Sequence, residues 1–142
     1  MKLVSHLLDS KGREVVSIAP DASVFDAIRL MAEKGIGALV VMDGESLIGI
    51  VTERDYARKV ILQGRSSQDT HVREIMTGTL VTTGSNETVE RCMNLVTEKR
   101  IRHLPVVDDG RLAGIISIGD LVKAIIADQQ QAIEELEHYI SG

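Results

Sequence analysis

The sequence predicts an α/β fold of the α+β kind, built from two tandem β-α-β-β-α units. Three observations carry this prediction. Residues 15–61 align with residues 80–126 without a gap, at an offset of 65. Within each copy, apolar residues at helical spacing give way to two short, dense apolar runs joined by an Asp-Gly turn signal. The composition is 44% hydrophobic but only 2% aromatic, with no Trp, so 142 residues must build an aliphatic core.

The chain divides into a segment 1–14, a first repeat 15–62, a linker 63–79, a second repeat 80–127 and a C-terminal helix 128–142. The opening MKLVSHLLDSKGR is too short and too polar to read as a signal peptide. Each repeat starts with a short extended segment, residues 15–18 and 80–83. A helix follows, with Val24, Ala27, Ile28 and Met31 on one face, and Val89, Cys92, Met93 and Val96 in the second copy. Ser23 and Thr88 precede these helices as N-cap types. The runs ALVVM and HLPVV predict one strand, and LIGIVT and LAGIIS the next. Asp43-Gly44 and Asp109-Gly110 between them predict hairpins. The closing helices are DYARKVILQ and DLVKAIIADQQQAIEELEHYI. One such unit cannot bury its apolar face alone, and two packed together can. In the linker, Val72, Ile75 and Met76 predict a short turn packed on the sheets. In the tail, Ile133, Leu136 and Ile140 suit an amphipathic helix laid on the domain or on a partner chain.

Composition excludes several classes of function. A formal net charge of −5 disfavours general binding to nucleic acid, and so few aromatics leave little to stack bases on. The lone Cys92 allows no internal disulfide, and on an apolar helix face beside Met93 it reads as core. His6, His71 and His138 share no ligand spacing, so no metal is assigned. Met31, Met42, Met76 and Met93 read as gap-fillers. No apolar run reaches the length of a membrane helix, which predicts a cytoplasmic protein. There is no nucleophile–base pair, phosphate loop or complete dinucleotide fingerprint, so an enzyme is not expected.

What repeats most closely is GIVTERD at 49–55 and GIISIGD at 114–120. Two readings stand side by side. In the first, Thr52 with Asp55 and Ser117 with Asp120 are capping boxes, and Gly49 and Gly114 permit close packing. In the second, a strand ends where a helix begins, and the helix start faces a ligand. Thr52 or Ser117 would then bond a phosphate or ribose oxygen. Asp55 or Asp120 would accept both hydroxyls of a ribose, because a carboxylate repels phosphate. Arg54 would offer phosphate a planar fork, and Ile118-Gly119 leaves the second copy without that group. Lys99 to His103 reads as a solvated basic helix end, its charges favoured by the C-terminal dipole. Arg58 is open to phosphate or solvent, and Lys59 reads as solvent-facing.

A tandem β-α-β-β-α unit ending each time in Gly-h-h-Thr/Ser-x-x-Asp resembles the CBS domain (cystathionine β-synthase domain), and the pair resembles a Bateman module. The resemblance runs from about residue 15 to 126. With 72–77 and the C-terminal helix it makes the chain look like a stand-alone CBS-pair protein, with no length left for an enzyme or transporter domain. It implies two repeats packed with pseudo-two-fold symmetry and a homodimer. It also implies that Thr or Ser of the signature lies near nucleotide phosphates and Asp on the ribose. The copies are expected to swap contributions: Thr52, Arg54 and Asp55 completed by Thr82, Thr83, Arg102, His103 and Pro105, and Ser117 and Asp120 by Ile18, Ala19, Ala38 and Leu39. The implied function is a regulatory module sensing cellular energy or redox state and modulating a partner protein. AMP is the expected ligand, ahead of ADP, ATP, NAD(H) and S-adenosylmethionine. The alternative is an interaction adaptor whose signatures are caps only.

Overall fold

The computed structural model describes residues 2–141; Met1 and Gly142, the outer ends of the N-terminal segment and C-terminal helix assigned above, lie outside the described residues. In chain order the elements are α1 (Val4–Lys11), β1 (Ser17–Ile18), α2 (Val24–Lys34), β2 (Ala38–Asp43), β3 (Ser46–Thr52) and α3 (Glu53–Tyr56). A π-helical turn (Ala57–Ile61) continues α3, and a 3-10 turn (Val72–Glu74) lies in the linker. The second copy supplies α4 (Val89–Lys99), β4 (His103–Asp108), β5 (Arg111–Ser117) and α5 (Ile118–Ser141). The chain forms two compact units: Glu14–Val81, and the N-terminal segment up to Arg13 together with everything from Thr82.

The helix starts are those the cap residues predict. Ser23 Oγ accepts the Asp26 amide at 3.0 Å, and Thr88 Oγ1 accepts the Arg91 amide at 3.2 Å. The helix ends differ in chemistry but not in shape. Gly35 closes α2 in the left-handed region (φ 65°), and Arg100 closes α4 in the same region (φ 55°) without glycine's freedom. Both antiparallel hairpins form, β2 with β3 and β4 with β5, but Asp43 is the last residue of β2 and pairs with Ser46, so the first turn is Gly44-Glu45 and the second Asp109-Gly110. Asp109 (φ 51°) and Gly110 (φ 77°) give the second hairpin the paired positive φ values of a type I′ turn.

The first extended segments differ from expectation. Residues 15–18 shorten to the two-residue β1, which pairs parallel with β2. Residues 80–83 form no strand, only a parallel bridge from Thr83 to Val106. The Thr83 amide bonds the Pro105 carbonyl at 3.0 Å, and the Val107 amide bonds the Thr83 carbonyl at 2.8 Å. Pro105 stands where the first copy has Val40 and has no N–H to extend that ladder backwards.

The repeat is longer than the gapless alignment. Before α2, the Val72 amide bonds the Ala22 carbonyl, the Arg73 amide that of Pro20, and the Val24 amide that of Thr70, at 2.8–3.0 Å. Before α4, Val4 bonds Glu87, Ser5 bonds Ser85 and Val89 bonds Lys2 in the same order, at 2.9–3.0 Å. Residues 70–76 and 2–8 are therefore equivalent, yet 70–76 pack in the continuous unit of the first repeat, whereas 2–8 precede that repeat and pack in the unit of the second. The core is written twice accordingly. Val24, Ala27, Met31, Leu39, Val41, Val51, Val72 and Ile75 are buried in one unit. Their counterparts Val89, Cys92, Val96, Leu104, Val106, Ile116, Val4 and Leu7 are buried in the other.

The C-terminal helix is not a separate element: α5 runs unbroken for 24 residues. Leu121 and Ala124 are buried, whereas residues 129–141 are exposed throughout. In the tail, Gln131, Ala132 and Glu135 line a groove with Lys2, His6 and Glu90, while the apolar residues Ile133, Leu136 and Ile140 are exposed.

Candidate functional site

Both signatures sit at a strand-to-helix junction prepared by the same irregularity. The β2–β3 register shifts between Val41 and Met42, and the β4–β5 register between Val106 and Val107. The strand reaches its glycine immediately after this bulge, and each glycine is closely overlaid. A Cβ on Gly49 would lie 2.6 Å from Met76 Sδ, and one on Gly114 would lie 2.7 Å from Leu8 Cδ2. The two glycines therefore make room for the equivalent 72–76 and 4–8 segments, in agreement with the close-packing reading.

Beyond the glycine, β3 ends at Thr52 and β5 at Ser117, and a helix starts from each. Thr52 caps α3 reciprocally: its Oγ1 accepts the Asp55 amide at 3.1 Å, and Asp55 Oδ2 accepts the Thr52 amide at 3.0 Å. The Thr52 hydroxyl also donates to Asp55 Oδ2 at 3.1 Å. Ser117 does the same with Asp120, at 3.2 Å and 2.8 Å. The first helical amide is engaged as well: Glu53 donates to the Gly37 carbonyl at 3.0 Å, and Ile118 to the Arg102 carbonyl at 2.8 Å. Both capping boxes are complete.

A lysine completes each site by a different route. Lys59 Nζ lies 3.4 Å from Asp55 Oδ1 and donates to the Ile75 carbonyl at 2.8 Å. This corrects the reading of Lys59 as merely solvent-facing: its amine ties the signature to the linker turn. In the second copy the partner comes from α1, where Lys11 Nζ donates to Asp120 Oδ2 at 2.7 Å and to the Ile115 carbonyl at 2.9 Å. Burial raises the Asp120 carboxyl, but the Lys11 bond, the Ser117 amide and the Lys11 charge outweigh it and hold the group below the ordinary carboxylate range. Sequence alone gives Lys11 no role. Its signal was present: Val4, Leu7 and Leu8 repeat the apolar spacing of Val72, Ile75 and Met76 at an offset of 68 rather than 65.

The remaining predicted residues fall into two sets. One unit holds Thr52, Arg54 and Asp55 with Ile18, Ala19, Ala38 and Leu39. Ala38 pairs with Thr52 across the hairpin, Leu39 packs in the core, Ala19 is exposed, and Arg54 is exposed on the first turn of α3. The other unit holds Ser117 and Asp120 with Thr82, Thr83, Arg102, His103 and Pro105. His103 pairs with Ser117 across its hairpin, Pro105 is buried, and Arg102 and Thr82 are exposed. Thr82 and Thr83 line a groove of about 700 Å³ with Glu87 and Arg91. Asp120 lines another, of about 380 Å³, with Lys2, His6, Lys11 and Lys123. Thr83 Oγ1 lies 3.3 Å from the Sγ of Cys92, whose thiol is buried and pushed up by that burial. Among the described residues, no three His, Cys, Asp or Glu side chains are grouped to hold a metal. No described helix is long and apolar enough to cross a membrane.

Comparison with known proteins gives a consistent picture. The CBS domain family model matches residues 8–61 and 72–127. A mitochondrial CBS domain-containing protein of Arabidopsis thaliana, CBSX3, is 40% identical, over 98% of this chain and 72% of its own length. A solved protein of Burkholderia ambifaria MC40-6, described as a signal-transduction protein with CBS domains, superposes with a TM-score of 0.88 at 55% identity, covering 90% of this chain and 96% of that one. The CBS domain pair of protein MJ0100, solved with 5-methylthioadenosine and S-adenosyl-L-methionine, matches with a TM-score of 0.78 at 26% identity, covering 87% of this chain and 99% of that one.

Proposed function

Because the chain belongs to the CBS-domain family, with two copies that span most of its length, we propose that it is a regulatory module that binds an adenosine nucleotide and is not itself an enzyme. The observation that carries this reading is the twice-built junction of Thr52–Asp55 and Ser117–Asp120, in a chain similar to a CBS pair that binds adenosine compounds. At Asp120, capping and the Lys11 pair both fall on Oδ2, so Oδ1 is the edge a ribose diol would use. At Asp55, Lys59 stands beside Oδ1, so a diol there would share the carboxylate with an ammonium. Exposed Arg54 gives the first copy a guanidinium for phosphate, which Gly119 denies the second. AMP fits this combination best, since it has one diol and one phosphate; ADP, ATP and NAD(H) would need further basic contacts. S-adenosylmethionine, a cation without phosphate, suits the copy lacking the arginine. We place the protein in the cytoplasm as a homodimer that modulates a partner protein when occupied.

The complete capping boxes favour a second reading, an interaction adaptor whose signatures only start helices. Thermal unfolding with AMP, ADP, ATP, NAD, NADH and S-adenosylmethionine separates the two. A ligand at 100 times its Kd adds about 2.7 kcal/mol to stability. On the binding reading, one compound raises the Tm of the wild type and loses that increment in Asp55→Asn or Asp120→Asn. On the adaptor reading, the variants lower the Tm alike with and without every compound.

A further inference from the structure

The chain from Lys2 through α1 runs antiparallel to the start of α5, within the second repeat's unit. An ion pair ties each end: Lys11 Nζ lies 2.7 Å from Asp120 Oδ2, and Lys2 Nζ lies 3.5 Å from Asp128 Oδ1. The groove of about 380 Å³ between these ties gathers donors. Lys123 lines it one helical turn after Asp120 and has no acidic partner among the described residues. His6 and Ser10 line it from α1. His6 Nδ1 accepts the Leu3 amide at 3.0 Å, which leaves Nε2 as the donor of the neutral ring. Lys2, Lys11 and Lys123 stand against the two carboxylates of Asp120 and Asp128, so a positive charge is left over in a chain of net charge −5. The first copy does not repeat this chemistry: Thr70 and Glu74 occupy the places of Lys2 and His6, and Glu74 is bonded to Arg65.

We propose, on the nucleotide reading of Ser117–Asp120, that this groove holds the anionic end of the second copy's ligand, a single phosphate or carboxylate carried on the 5′ side of a ribose. The diol takes Asp120 Oδ1, the edge free of the cap and of Lys11. Lys123, one turn further along α5, then meets the opposite side of the sugar. Its ammonium is a compact point charge with three donors and serves either anion. Gly119 withholds a guanidinium from the second signature, and the fold supplies a cation from outside it. The one excess charge suits one anionic group, not a chain of phosphates. AMP carries such a group as its phosphate and S-adenosylmethionine as its α-carboxylate, whereas adenosine and 5-methylthioadenosine carry none.

Backbone amide shifts at residues 117–124 report this copy alone, so NMR titration of the full chain with adenosine, AMP, 5-methylthioadenosine and S-adenosylmethionine gives a Kd for each. AMP should bind about tenfold more tightly than adenosine, or S-adenosylmethionine about tenfold more tightly than 5-methylthioadenosine. Whichever pair shows the advantage names the anion. Lys123→Gln should remove that advantage and leave the Kd of the uncharged compound as it was, while Lys123→Arg retains it. Lys123 is exposed, so both variants keep the fold, and unchanged amide shifts elsewhere in the chain check this. No advantage for either anionic compound, or an advantage that survives Lys123→Gln, would overturn the groove while leaving the nucleotide reading intact. Amides at 117–124 that no compound moves would overturn both.

Discussion

At the scale of single residues, Arg100 and Gly35 are a natural comparison. They close equivalent helices in the same left-handed conformation, one with a Cβ and one without. Left-handed backbone costs a non-glycine residue about 1–2 kcal/mol, partly offset by glycine's larger entropy in the unfolded chain. Arg100→Gly should therefore stabilise the protein by up to about 1 kcal/mol, read as a higher urea midpoint at unchanged slope. Asp120 offers a second test. Its folded pKa is depressed, so its contribution is full above the unfolded value near 4 and is lost as pH falls through the folded one. Replacing Lys11 by Met removes the main opposing influence to burial, and the carboxyl rises. The stability gap between wild type and Lys11→Met should be widest near neutral pH and close below about pH 4 in urea titrations. A gap independent of pH would mean that Lys11 acts by packing alone.

At the scale of elements, the structure turns a polar-looking N-terminus into part of a core. Leu8 is fully buried, with its methyls over Gly114. Leu8→Ala should cost about 2–5 kcal/mol, and Gly114→Ala about 1–3 kcal/mol, because the added methyl meets a side chain that has nowhere to go. Calorimetry of Gly114→Ala with and without Leu8→Ala checks the geometry: the second change should relieve part of the first, a coupling that distant sites would not show. The caps belong to this scale as well. Thr52→Ala and Ser117→Ala should each lower stability by about 1 kcal/mol on the cap's account alone. A ligand response lost beyond that would count toward binding.

At the scale of the whole molecule, the chain passes twice between its units, near residues 13–14 and 81–82. The unit that holds the second repeat therefore depends on a segment that the sequence places before the first repeat, whereas the other unit is continuous. Deleting residues 2–11 should destabilise the unit that holds β4, β5 and α5, although the deleted stretch precedes the first repeat. Hydrogen exchange would show it: amides of α4 and β5 should lose protection before those of α2 and β3. Loss confined to α2 and β3 would contradict the assignment of α1.

Periodicity and repetition determined much of this protein. The helix caps at Ser23 and Thr88, both hairpins and the two capping-box junctions follow from local chemistry that acts over three or four residues, and such chemistry is written in consecutive letters. Three features were decided only by tertiary structure. Residues 80–83 fail to form a strand because Pro105, distant in sequence, withholds an amide. Lys11 becomes the partner of Asp120 because α1 crosses to the second repeat's unit. Gly49 and Gly114 are required by what lies over them, Met76 and Leu8, not by their own turns. Each depends on which segments meet across long stretches of chain, and no local spacing encodes that.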